Sequence, residues 1–351
     1  MMSDIPQILK TITDWQKDGH RLALATVVGI KGSAYRRPGA RMVIADDGKS
    51  FGMIGGGCFD ADVNELAQQV IDTGTPQLHL YDLQDADVWG LGLGCNGSVF
   101  VLIESLMNDT GKEWVTKVEA SLEDNQPIHV THTFSKELTF DLFFRNGEVE
   151  LSRDFTFESE NKRNIRNRTR QFHEVISPSP RLVIFGAGHD AIPLVEFASQ
   201  SGFKVVVVDQ RKHLLTHSRF PKAESFIHSR QENYEETIIP RPNDYVLFMS
   251  HNIHQDAAAF NLYREHQVKY LGFLGPKRRT KQIIEDILQL PSSDLESIRH
   301  VMFSPVGLDI GSETAEQVAL SITAELMAVK NKSQPQFLKD KAGTIHEPQP
   351  T

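Results

Sequence analysis

The chain has 351 residues, 40% of them hydrophobic, and a formal net charge of -9. That length exceeds one typical core and predicts two domains. The acidic balance argues against a nucleic-acid backbone as the main partner, since such binding rests on clustered Lys and Arg, and no apolar run approaches the roughly 20 residues that cross a bilayer.

Met1 to Lys10 carries Asp4 and Pro6 and lacks the apolar core of a signal peptide, so a cytoplasmic location is expected. Arg21 to Val28 and Arg41 to Ala45 are β-branched and apolar, separated by a glycine and proline cluster from Gly32 to Gly39, and Asp46-Asp47-Gly48 reads as a turn. Phe51 to Ile54 is a short strand into Gly55-Gly56-Gly57. From Asp62 to Ile71 the residues Val63, Leu66, Ala67 and Val70 recur at helical spacing. A second glycine-rich loop runs from Gly90 to Gly97, followed by a strand from Ser98 to Glu104, and Asn146-Gly147 between Phe144 and Val149 signals a hairpin. Ser177-Pro178-Ser179-Pro180 then marks a boundary. These features predict an N-terminal α+β domain over 1–176, a second domain over 181–330, and a polar, disordered tail over 331–351.

Leu182-Val183-Ile184-Phe185 has the unbroken apolar character of a parallel strand buried on both faces. Gly186-Ala187-Gly188-His189-Asp190-Ala191 follows, then a helix from Ile192 to Ser201, the cap residue Gly202, and a second buried strand from Lys204 ending in Asp209. This is one βαβ unit of a Rossmann-type, doubly wound α/β fold. Gly186 permits the tight turn, Gly188 the approach of a pyrophosphate, and Asp209 stands where a carboxylate accepts from ribose hydroxyls. Further strands at Tyr245 to Met249 and Tyr270 to Leu274 continue the sheet. In the loop after the first of these, His251, His254 and Asp256 read either as metal ligands or, with greater weight, as loop polarity near a helix start. In the loop after the second, Lys277, Arg278 and Arg279 read either as a phosphate grip or as a solvated helix end.

Cys58 follows three glycines and is expected in the first turn of a helix, where the helix dipole favours the thiolate; Asp60 and Asp62 work against this. It reads equally as a small buried hydrophobe. Cys95, in Gly92-Leu93-Gly94-Cys95-Asn96-Gly97, has the same two readings, with no helix following to activate it. Arg36, Arg37 and Arg41 beside Pro38-Gly39 read either as a bidentate clamp for an anion or as surface residues of a turn.

These residues together resemble the XdhC/CoxI family, accessory factors of xanthine dehydrogenase and related molybdenum hydroxylases. The markers are Gly32-Ser33 with Arg37-Pro38-Gly39-Ala40, Gly56-Gly57-Cys58, Gly92 to Gly97, Phe185 to His189, and Pro305-Val306-Gly307-Leu308-Asp309-Ile310-Gly311. The resemblance implies a maturation factor that binds molybdenum cofactor, as molybdopterin or its dinucleotide, protects it during sulfuration and delivers it to the apo-hydroxylase. Its partners would be that hydroxylase and a sulfurtransferase of the cysteine-desulfurase type, and a homodimer is the expected assembly. Soft thiolates suit molybdenum or sulfur handling, so Cys58 and then Cys95 are the expected reactive and metal-contacting residues. Gly55, Gly56, Gly57, Arg37, Gly94, Gly186, Gly188, His189, Asp209 and Lys277 are the expected cofactor-binding residues. The chain departs from the family pattern at Ile54-Gly55, at Phe59-Asp60 and at His254. The competing function is an NAD(P)-dependent oxidoreductase, resting on the glycine turn and Asp209 alone, with no histidine singled out as its acid or base.

Overall fold

The structure, a computed structural model, describes residues 5–32, 34–57, 59–82, 97–134, 140–146 and 170–341. It divides into two compact units, with Ser3–Pro178 in one and Ser179–Gln336 in the other.

The N-terminal unit is built on an antiparallel sheet of β1 (Leu22–Gly32), β2 (Arg41–Ala45), β3 (Ser50–Gly52), β4 (Gln77–Asp82) and β5 (Gly97–Ser105), in the order β3-β2-β1-β5-β4. The alternation of β1 from Leu22 to Val27 divides its side chains between two cores, and Val28 packs in a third with Phe100, Leu102 and Phe172. Ala23, Ala25 and Val27 pack with Val63, Ala67 and Val70 of helix α2 (Asp60–Thr73). Leu22 and Leu24 pack on the other face with Ile8 and Ile12 of α1 (Ile5–Lys17) and Trp114 of α3 (Asp109–Glu123). Gly74 ends α2 in the left-handed region at φ 69°, which a glycine adopts without a Cβ penalty. A second antiparallel sheet has the order β7-β6-β8, from β6 (Ile128–Phe134), β7 (Phe140–Asn146) and β8 (Arg170–Ile176).

Several boundaries differ from the sequence expectation: the strand expected from Phe51 to Ile54 is Ser50–Gly52 and ends before the glycine run, and others shift by one or two residues. β1 extends to Gly32 by absorbing a bulge between Val27 and Gly29, and α2 starts at Asp60. β7 pairs with β6 up to Asn146, while Gly147 to Val149, the far side of the expected hairpin, lie outside the described residues.

The C-terminal unit holds six parallel strands: β9 (Arg181–Phe185), β10 (Lys204–Asp209), β11 (Ser225–His228), β12 (Tyr245–Phe248), β13 (Tyr270–Phe273) and β14 (Met302–Phe303). Their order is β11-β10-β9-β12-β13-β14, which counted from β9 is the 3-2-1-4-5-6 order of a Rossmann fold. The unbroken apolar run of β9 is explained by its two cores. Leu182 and Ile184 face α4 (Ala191–Gln200) and α6 (Ala315–Lys330), whereas Val183 and Phe185 face α5 (Ile253–Tyr263). Thr314 and Gln317 form a capping box at the start of α6. Beyond α6 the chain is described to Lys341, with a 3-10 turn at Leu338–Asp340, and the rest of the tail lies outside the described residues.

Candidate functional site

The glycine run between β3 and α2 is braced from the helix side. Asp60, the first residue of α2, accepts from the Gly55 amide through Oδ1 and from the Gly57 amide through Oδ2, both at 2.8 Å. Gly56 and Gly57 have φ of 66° and 92°, so the loop needs residues without a Cβ. The glycines also lie between aromatic rings. A Cβ on Gly55 would stand 2.8 Å from the Phe59 ring and one on Gly56 2.9 Å from the Tyr35 ring, whereas among the described residues beyond its chain neighbours nothing lies within 4 Å of that position on Gly57. Phe59 is fixed in turn by stacking on Tyr81 with centroids 4.4 Å apart, and the Tyr81 hydroxyl donates to Asp62 at 2.6 Å. Burial, with the adjacent Asp62, raises the Tyr81 pKa well above its ordinary value and keeps it a donor. The two acids expected to oppose a Cys58 thiolate are therefore each engaged within the fold. Cys58 itself lies outside the described residues, and the helix starts two positions after it rather than around it. Cys95 and Gly94 also lie outside them.

The three neighbouring arginines have different fates. Arg37 is exposed, in a turn where its carbonyl accepts from the Ala40 amide at 3.1 Å. Arg36 is half-buried. Arg41 is not a surface clamp residue: it is 3% exposed, ion-paired with Glu174 and lies 5.1 Å from the Trp114 ring centroid. Its Nη1 donates to the Gly39 carbonyl at 3.0 Å, which ties the turn after Arg37 to the core. His132 Nε2 and Glu174 Oε1 are 3.0 Å apart, and Glu104 is buried close to the same charges. Burial pushes the Glu104 carboxyl up to about 8, with Arg41 opposing, so it is mostly protonated at neutral pH. Burial also pushes the Glu174 carboxyl up, but Arg41 and His132 outweigh it and hold the pKa below the ordinary value. Arg41 and Glu104 stand on strands that are buried throughout, which is the sequence signal for this network; Glu174, on the alternating strand β8, carries none.

In the C-terminal unit, Gly186, Gly188 and His189 follow β9, and His251 follows β12. These are the carboxyl ends at the switch point of the sheet, where ligands of open α/β sheets bind. A Cβ on Gly186 would strike the Met249 carbonyl, so glycine there serves strand packing. Asp209 is engaged internally. Its Oδ2 accepts from the Ala187 amide and Arg211 Nη2, both at 2.7 Å, and its Oδ1 accepts from the Arg211 amide at 2.7 Å and Arg211 Nε at 2.9 Å. Burial raises its pKa, but these bonds outweigh that and hold it below the ordinary value. Asp190 caps α4, and its Oδ1 would stand 2.6 Å from a Cβ on Gly188, on the side where a pyrophosphate would approach.

Asp256 is fully buried, 2.7 Å from Arg279 Nη2, and accepts from the Ser250 hydroxyl at 2.6 Å. Burial pushes its pKa up despite these partners. Arg279 is thereby an ion-pair partner of the core, while Lys277 and His254 are exposed. Among the described residues no group of three or more His, Cys, Asp or Glu gathers into a metal site, and no helix is long and apolar enough to cross a membrane.

Comparison with known proteins gives a consistent picture. A family model described as the XdhC Rossmann domain matches residues 182–326, and one described as the XdhC and CoxI family matches residues 15–82. A Bacillus subtilis protein, named as a probable xanthine dehydrogenase subunit, is 31% identical over 326 residues, 90% of this chain and 95% of its own. The molybdenum cofactor insertion chaperone PaoD of Escherichia coli is 22% identical over 330 residues, 94% of this chain and 90% of its own. A crystal structure described as that of a xanthine dehydrogenase from Bacillus halodurans aligns with a TM-score of 0.79 at 29% identity, covering 97% of this chain and 98% of that one.

Proposed function

Because the chain belongs to the XdhC and CoxI family, we propose that it is a maturation factor that binds molybdenum cofactor and inserts it into a hydroxylase of the xanthine dehydrogenase class. The observation that carries this reading is the nearly full-length likeness to a molybdenum cofactor insertion chaperone. The chemistry of the N-terminal loop supports it. The cofactor has a pterin with a flat pyrimidine ring and an anionic phosphate. Among the described residues beyond its chain neighbours Gly57 has no side chain within 4 Å of its Cβ position, and the exposed Arg37 lies in the turn that follows Tyr35.

When bound, the cofactor would supply the molybdenum centre, with its sulfido ligand, that the hydroxylase needs. In this reading the residues of the chain hold and shield it. Gly55, Gly56 and Gly57, kept in place by Asp60, give a close backbone approach, and Arg37 meets the phosphate. Cys58 and Cys95 are the soft ligands for sulfur or molybdenum, and a sulfurtransferase and the apo-hydroxylase are the partners. An NAD(P)-dependent oxidoreductase is the weaker reading, because the Asp209 carboxylate that would accept from ribose already accepts four hydrogen bonds within the chain.

The test is purification from a host that makes molybdenum cofactor, with Cys58→Ala and Cys95→Ala alongside. The wild-type protein is expected to carry pterin and molybdenum and to activate an apo-hydroxylase, and the variants to lose retention or transfer. Absence of pterin under loading conditions would overturn the function. Unimpaired variants would overturn only the cysteine roles.

A further inference from the structure

Tyr35 is 58% exposed, yet its ring is firmly seated on backbone. The position a Gly56 Cβ would take lies 2.9, 3.0 and 3.2 Å from Tyr35 Cδ1, Cγ and Cε1. Three consecutive ring atoms at nearly one distance mean that the glycine supports the ring along one side, and any other residue at Gly56 would displace it. Gly56 is therefore glycine for two reasons, its φ of 66° and the seat it gives this ring. A tyrosine in a mobile turn has no need of such a seat. The turn is also anchored from behind: the Gly39 amide donates to Val27 at 2.7 Å, and buried Arg41 donates to the Gly39 carbonyl at 3.0 Å. The result is a flat aromatic surface, fixed on one side by Gly56 and exposed on the other, in the chain directly before Arg36 and Arg37.

A planar heterocycle gains from contact with a held aromatic ring, and a pre-seated ring loses little rotamer freedom when the ligand arrives. A flanking guanidinium suits an anionic group on the same molecule. We infer that Tyr35, seated on Gly56, is the stacking residue for the planar heterocycle of an anionic pterin ligand, with Arg37 meeting its phosphate. This assignment rests on the cofactor-binding function proposed above and adds to it the residue that recognises the ring.

The test uses the full chain with three probes: molybdenum cofactor released from a purified hydroxylase, 6-carboxypterin, and inorganic pyrophosphate. Binding is followed by equilibrium dialysis for all three probes and, for the fluorescent 6-carboxypterin, by the quenching that stacking produces. Tyr35→Phe is expected to match wild type. Tyr35→Leu and Tyr35→Gln are expected to bind both pterin probes roughly tenfold more weakly, to lose the quenching of 6-carboxypterin, and to leave pyrophosphate binding unchanged. Arg37→Gln is expected to weaken the cofactor and pyrophosphate together. Circular dichroism and melting of each variant separate lost stacking from lost fold, and Tyr35→Gln keeps the reach and polarity of the side chain should Tyr35→Leu fail to fold. If wild type binds the cofactor and both non-aromatic variants bind it equally well, the stacking role falls and the function stands. If wild type binds no cofactor, both fall.

Discussion

His251 Nε2 lies 2.9 Å from Asp190 Oδ2, a hydrogen bond that ties the loop after β12 to the loop after β9 across the switch point of the parallel sheet. His251 holds this position with a φ of 58°, a left-handed conformation that costs a residue with a Cβ of order 1 kcal/mol. The carboxylate it fixes stands beside Gly188, where a dinucleotide would bring its pyrophosphate.

The first prediction concerns that carboxylate. Like charges a few ångströms apart repel by several kcal/mol at the effective dielectric of a protein surface. NADH fluorescence is therefore expected to show no saturable binding to the wild-type protein at micromolar concentrations. Asp190→Gly, which removes the internal anion, is expected to improve any weak NADH binding by about tenfold or more. Tight NADH binding by the wild type would show that Asp190 moves aside and would revive the oxidoreductase reading.

The Rossmann half was legible because its determinants are local: an unbroken apolar strand, a glycine turn at once after it, and Asp209 in register at the end of the next strand. What that turn does was not legible. Asp209 accepts from Ala187 and Arg211, and Asp190 meets His251, through contacts fixed by the order of parallel strands rather than by spacing along the chain. In the N-terminal unit, strands and α2 followed from alternation and helical spacing. The burial of Arg41 did not, because its partner Glu174 comes from β8, 133 positions away in the chain. Tyr35 likewise has no motif, and its place on Gly56 depends on how two turns meet.

The second prediction is structural. Arg41 and Glu174 form a buried ion pair, and removing one partner leaves a desolvated charge. Arg41→Leu is expected to destabilise the N-terminal unit by about 3–5 kcal/mol, while Arg41→Leu with Glu174→Leu should recover much of that loss. All three tryptophans, Trp15, Trp89 and Trp114, lie in this half, so urea unfolding followed by tryptophan fluorescence reports on it selectively. Equal destabilisation by the single and double variants would rule out uncompensated charge as the cause.

The third prediction is a pH dependence with two limbs. The Glu104 pKa is raised in the fold to about 8, so the folded state binds the extra proton and the contribution is full below its unfolded value near 4.5. It is lost as pH rises from there toward about 8 and levels off above. His132 is shifted the other way: burial lowers its pKa despite Glu174, so stability is lost as pH falls below its ordinary value of 6.5. Glu174, also lowered, contributes above its ordinary 4.5 and is lost as pH falls further. Tryptophan-detected unfolding midpoints are expected to decline in wild type as pH rises from near neutral toward about 8, the upper limb. That decline should flatten in Glu104→Gln, which cannot ionise, while the acid limb persists. An unchanged upper limb in Glu104→Gln would assign it to another group.

The last prediction joins stability to ligand binding at the glycine loop. Asp60 holds the Gly55 and Gly57 amides through separate carboxylate oxygens, each at 2.8 Å. Asp60→Ala removes both acceptors and is expected to cost about 1–2 kcal/mol. Asp60→Asn keeps one carbonyl oxygen and should cost about half as much. The larger effect is expected in binding: the Gly56 seat for Tyr35 lies between the two bonds, so loosening them frees the ring as well as the backbone. Both variants should therefore retain less molybdenum cofactor than wild type, with Asp60→Ala the more impaired, and backbone amide exchange at Gly55 and Gly57 should quicken in the same order. If exchange quickens while retention is unchanged, the loop is a structural turn and the cofactor is held elsewhere.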